Sequence, residues 1–128
     1  MSDKKIKLTN FEMETYVSML EPFLDRSDKI GYAAARNTRY LMDACADYSK
    51  IKVKLLEAYG TELKDEKGNG TGEMIISADD PNFDLVKKQL ATSGEISHEV
   101  TIYKISYDDV IDKLTGREIL QIDWMIDK

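Results

Sequence analysis

A chain of 128 residues, 42% hydrophobic and 33% charged, is long enough to bury its own core as one domain over residues 1–128, and its one cysteine excludes an internal disulfide. No stretch reaches the ~18 consecutive apolar residues of a membrane span, and the lysines of Met1–Asn10 precede no apolar export segment, so a cytoplasmic protein without a membrane partner is expected. The net charge of -6 argues against direct nucleic-acid binding, and the imbalance lies late in the chain: residues 1–60 carry 10 basic and 9 acidic side chains, residues 61–128 carry 8 and 15.

Thr9 and Glu12 have capping-box spacing, with Leu8 and Met13 placed as a hydrophobic staple, so a first helix is predicted from about Asn10 to Leu24. Its apolar face reads Phe11, Val17, Leu20 and Leu24, and Pro22 kinks or ends the last turn. Asp25–Asp28 is a connection that caps the next helix. From Leu41 the apolar residues Ala44, Tyr48, Ile51, Leu55 and Ala58 step by three and four, a heptad seam. One helix over Lys29–Tyr59 would be about 45 Å long at 1.5 Å per residue, long enough for part of it to project. Gly60 is its expected stop.

The glycine-rich, charged stretch Lys64–Gly72 reads as a hairpin tip or mobile loop before the apolar Met74-Ile75-Ile76. Asp79-Asp80-Pro81 predicts a cap with proline at the first position of a third helix, which runs through Phe83, Val86 and Leu90 to Gly94. Ile96–Ile105, rich in β-branched residues, is predicted as a strand. A short helix to about Leu114 follows Ser106–Asp109. Thr115 and Glu118 then cap a last helix carrying Ile119, Leu120, Ile122, Trp124, Met125 and Ile126. The expected architecture is helix-rich α+β: one long heptad-bearing helix packed with shorter helices and a small antiparallel sheet.

The motifs that could carry chemistry fall short of their templates. Gly68-Asn69-Gly70-Thr71-Gly72 lacks the lysine and hydroxyl of a phosphate loop and opens onto an extended segment rather than a helix. Against a calcium loop, Asp65, Asn69 and Gly70 fit positions 1, 5 and 6, but Lys67 and Ile76 occupy positions that need carboxylates. Asn69-Gly70-Thr71 is formally a glycosylation acceptor, but without an export segment it meets no glycosylating compartment. His98 and Cys45 are each single, and Cys45 lies on an apolar helix edge where a free thiol is a small hydrophobe. Asp79-Asp80 and Asp108-Asp109 each precede a predicted helix, where the dipole explains them without catalysis. No catalytic residues, metal ligands or cofactor are therefore expected.

Three binding surfaces remain. Leu41, Tyr48, Ile51 and Leu55 on the seam would mediate self-association into a homo-oligomer. Asp108, Asp109 and Asp112 in the acidic half would meet a partner with a basic surface. Tyr32, Arg36, Arg39 and Tyr40 alternate planar cations and aromatic rings on the long helix's first turns, where arginine can grip phosphate and tyrosine can stack a base, so a small nucleotide-like ligand is the alternative.

Taken together, Leu8-Thr9-Asn10-Phe11-Glu12, the helix closing at Tyr59-Gly60, the turn Asp65–Gly70, the strand Ile96–Ile105 and the closing Ile122-Asp123-Trp124-Met125-Ile126 resemble a family of small proteins of unknown function encoded by phages and prophages of Gram-positive bacteria. The resemblance spans nearly the whole chain. It implies a context: a non-enzymatic accessory protein in the host cytoplasm that acts by protein–protein contact, as an inhibitor of a host defence or nucleic-acid-binding protein. The alternatives are a nucleotide-sequestering protein and a virion assembly protein.

Overall fold

The computed structural model describes residues 2–127, in the order β1 (Ser2–Thr9), α1 (Asn10–Leu20), α2 (Lys29–Ala44), α3 (Ala46–Tyr59), β2 (Thr61–Lys64), β3 (Gly70–Ile75), α4 (Phe83–Gly94), β4 (Ser97–Ser106), α5 (Gly116–Gln121) and β5 (Ile126–Asp127). The α+β class is as expected. Contacts divide the chain into two compact units, one formed by residues 1–45 with 97–128, the other by residues 46–96.

In the first unit β1 pairs antiparallel with β4, from Ser2 opposite Lys104 to Thr9 opposite Ser97. The two-residue β5 joins the other edge of β4 in parallel, so the sheet is mixed rather than antiparallel throughout. Alternation along β1 turns Ile6 and Leu8 inward opposite Val100 and His98, with the lysines at 5 and 7 on the other face. Sixteen residues close the core, among them Leu8, Met13, Leu20, Phe23, Ile30, Leu41, Ile102, Val110, Ile122 and Met125.

The caps of this unit form as the spacing predicts. Glu12 N–H donates to Thr9 Oγ1 at 3.1 Å while Thr9 N–H donates to Glu12 Oε1 at 2.9 Å. Thr115 and Glu118 repeat the box before α5. Asp28 caps α2 by accepting from Gly31 N–H at 3.1 Å. The helix bodies differ more from expectation. α1 ends at Leu20, and Pro22 sits in a 3-10 turn over Glu21–Phe23, where its missing amide costs nothing. The core face of α1 is Met13 and Leu20 with Val17 against it, whereas Phe11 and Leu24 are each 40% exposed. Asp108 and Asp109 lie within a 3-10 turn rather than before a helix. α5 stops at Gln121, a 3-10 turn follows over Asp123–Met125, and Ile126 becomes a strand residue.

The single long helix is the main correction. α2 ends at Ala44 and α3 begins at Ala46, because Cys45 leaves helical geometry (φ -102°, ψ 18°) and buries its side chain in the first unit's core. Neither proline nor glycine marks the break, and the three-four stepping runs straight across it. The seam is thereby split. Leu41 belongs to the first unit's core, Tyr48 is buried in the second unit, Leu55 is half-buried and Ile51 is 38% exposed.

In the second unit α3 packs with α4 and with the antiparallel hairpin β2–β3. Gly60 ends α3 as expected. Gly68 at the hairpin tip and Gly72 within β3 both take φ of 81°, a region that only glycine enters freely. Asp65 Oδ1 accepts from the amides of Lys67 and Asn69, each at 2.9 Å, so this carboxylate already takes amides that a phosphate would need. Before α4, Asp80 Oδ1 accepts from Asn82 N–H at 2.7 Å. The helix therefore starts at Phe83, leaving Pro81 in the preceding turn instead of at the first helical position.

Candidate functional site

Two surfaces of the first unit gather residues singled out in the sequence. The first is built on α2, where Tyr32 lies four residues before Arg36 and Arg39 and Tyr40 lie three and four after it, so that all three neighbour Arg36 on the helix surface. With Ala35 they line a hollow of about 360 Å³. Arg36 is its centre. Its Nε donates to Tyr40 Oη at 2.9 Å, Nη1 to Tyr32 Oη at 3.0 Å and Nη2 to Asp3 Oδ2 at 3.2 Å. The guanidinium also lies 4.8 Å from the centre of the Tyr103 ring and 5.4 Å from that of Tyr40. Tyr32 meets Tyr103 edge to face at 5.7 Å. The hydroxyls of Tyr32 and then Tyr40 raise the Arg36 pKa further above its ordinary value, so it is a permanent cation.

Asp3 and Tyr103 are members of this cluster that helix spacing could not reveal. They stand opposite each other in the β1–β4 register, and the pairing signal would be the strand alternation of Lys4–Leu8. Behind the cluster, fully buried Asn37 fixes α2 to β4. Its Nδ2 donates to Tyr103 O at 2.9 Å and its Oδ1 accepts from Tyr103 N–H at 2.6 Å, as a neighbouring strand would.

The second surface follows β4. Asp108 and Asp112 are exposed, whereas Asp109 is half-buried and pairs with Lys29 at 3.5 Å. Tyr107 and Ile111, 39% and 43% exposed, interleave with these carboxylates. Ser106, Tyr107, Asp108 and Asp127 line a hollow of about 400 Å³, to which the β4–β5 pairing brings Asp127.

His98 Nε2 lies 3.1 Å from Asn10 Oδ1 at the start of β4, while Cys45 is a core residue. Among the described residues no group of three or more His, Cys, Asp or Glu side chains could hold a metal ion, and no helix is long and apolar enough to cross a membrane. Comparisons with family models, curated proteins and solved structures found no match.

Proposed function

We propose that this is a non-enzymatic protein that acts by binding a protein partner with a basic surface, through the acidic face at residues 106–112 and Asp127. The observation that carries this reading is the interleaving of Tyr107 and Ile111 with Asp108 and Asp112 beside the hollow shared by Asp108 and Asp127. Exposed aromatic and aliphatic side chains provide area to desolvate, and carboxylates around them select a cationic partner and raise its on-rate. A lysine or arginine entering the hollow would meet two carboxylates and the Tyr107 ring together. Asp109 contributes less to contact, because Lys29 already neutralises it. The phage context implied by the sequence would make the partner a host protein.

The test is a nuclease-treated pull-down from bacterial lysate with the wild-type chain and an Asp108→Lys, Asp112→Lys variant in parallel. A stoichiometric partner that the wild type retains, the variant loses and added salt releases is the expected result. A partner held equally by both chains, or indifferent to salt, would place the contact elsewhere.

A further inference from the structure

We infer that the hollow on α2 is a mononucleotide site, with the phosphate taken by Arg36 and Arg39 and the base laid against Tyr32. Arg36 is oriented before any ligand arrives, since two tyrosine hydroxyls and Asp3 hold three of its N–H groups and Tyr103 supports its plane. A guanidinium has five N–H donors, so two remain for a ligand. Arg39, three residues on, is exposed and has no ion-pair partner among the described residues. Two adjacent arginines in one hollow of a protein with net charge -6 form a local reversal of field. Their planar forks match phosphate oxygens two at a time.

The aromatic half of the argument rests on Tyr32, 57% exposed although its hydroxyl is fixed by Arg36. A ring held at its tip and open to solvent is a stacking platform with little freedom left to lose on binding. The volume of about 360 Å³ lies at the small end of ligand sites, which suits one nucleotide rather than a dinucleotide.

Asp3 occupies the place of the anion. Its carboxylate sits 3.2 Å from Arg36 Nη2 with the side chain 43% exposed, an arrangement that contributes little to stability. A phosphate, with more charge and more acceptors, displaces it at small cost. Removing Asp3 should therefore improve binding, an outcome that a purely structural Arg36 cluster would not produce.

Calorimetric titration with AMP, GMP, CMP and UMP, and with adenosine and inorganic phosphate as the separate halves, tests this site. At least one mononucleotide should bind with a Kd below about 1 mM and about tenfold more tightly than either half. Arg39→Ala should weaken it about tenfold, as loss of a charge-assisted hydrogen bond does, Tyr32→Ala should remove the advantage over phosphate, and Asp3→Ala should tighten binding severalfold. All three substitutions lie on the surface, and circular dichroism checks that each variant is folded. Absence of binding by all four nucleotides, phosphate binding as tightly as the nucleotides, or an Asp3→Ala variant no tighter than wild type would overturn the inference. The site shares no residue with the acidic face, so either reading can fail alone.

Discussion

Gly31 and Gly116 both sit in the first turn of a helix, yet a methyl group added at each has opposite consequences. At Gly31 a Cβ would stand 1.9 Å from the backbone oxygen of Arg26, a group that cannot swing away. Alanine's helix propensity favours the substitution by about 0.5–1 kcal/mol, but forcing that contact apart costs about 1–3 kcal/mol and strains the cap built by Arg26 and Asp28. Gly31→Ala should be net destabilising. Around Gly116 nothing lies within 4 Å and φ is not positive, so Gly116→Ala should stabilise by about 0.4–1 kcal/mol. Urea midpoints of the two variants against wild type check the opposed signs. The neighbouring Asp28 makes a prediction in pH. Arg26, which donates from Nη2 at 2.7 Å, and the Gly31 amide together lower its carboxyl from 3.8 to about 2. A folded pKa below the unfolded one means that the stabilisation is complete above about pH 4 and disappears as pH falls through about 2. The substitution Asp28→Asn keeps a capping oxygen but removes the titration. Between pH 4 and 2 the stability of Asp28→Asn should therefore fall less steeply than that of wild type in parallel denaturant titrations.

At the scale of elements, Asn37 carries the join between α2 and β4. Its amide meets both the N–H and the C=O of Tyr103. Asn37→Ala would remove both of these hydrogen bonds from a buried join, at about 1–3 kcal/mol each, and Asn37→Leu would not restore them, because the missing partner is polar. Both variants should be destabilised by at least about 2 kcal/mol, with the Tyr103 amide exchanging faster with solvent. This join also shows where the sequence could be read and where it could not. Local signals were legible: the Thr9 and Thr115 capping boxes, the Asp28 cap and the β-branched run of β4 each form within one residue of expectation, and the glycine-rich stretch after Lys64 does form a hairpin tip, though β3 already begins at Gly70. What escaped was set by partners distant in the chain. β1 is defined by pairing with β4, about ninety to a hundred residues on, and its five-residue alternation is too brief to stand alone. The break at Cys45 has no local cause. A buried thiol in one unit's core and a buried Tyr48 in the next outweigh a continuous helical repeat, which is why the heptad pattern misled. For the α2 hollow, helix spacing brought Tyr32, Arg36, Arg39 and Tyr40 together, but Asp3, which accepts from Arg36 Nη2, was hidden with β1.

At the scale of the molecule, the two units are alike in charge and unlike in core. The first carries 11 basic and 14 acidic residues and the second 7 and 10, so each is -3 and the acid bias of residues 61–128 is not the property of one unit. Burial is not shared so evenly. The first unit holds the sixteen-residue core, whereas the large apolar side chains fully withdrawn from solvent in the second are Tyr48 and Val86. Ile51, Val53, Leu63, Leu85 and Ile96 of that unit are all more than a third exposed. With about 1.5–3 kcal/mol for each fully buried large apolar side chain, the second unit has far less to set against the entropy of ordering α3, α4 and the hairpin. It should open first. The protein carries its own reporter, since Trp124, the only tryptophan, lies in the first unit, stacked on Tyr16 with ring centres 4.4 Å apart. In urea, far-UV circular dichroism, which sees the helices of both units, should begin to fall before Trp124 fluorescence changes. Hydrogen exchange should give the amides of β2, β3 and α4 lower opening free energies than those of α2 and β4. Coincident transitions with uniform protection would instead show that the second unit draws its stability from the first, and the sparse core of residues 46–96 would then not set its fate.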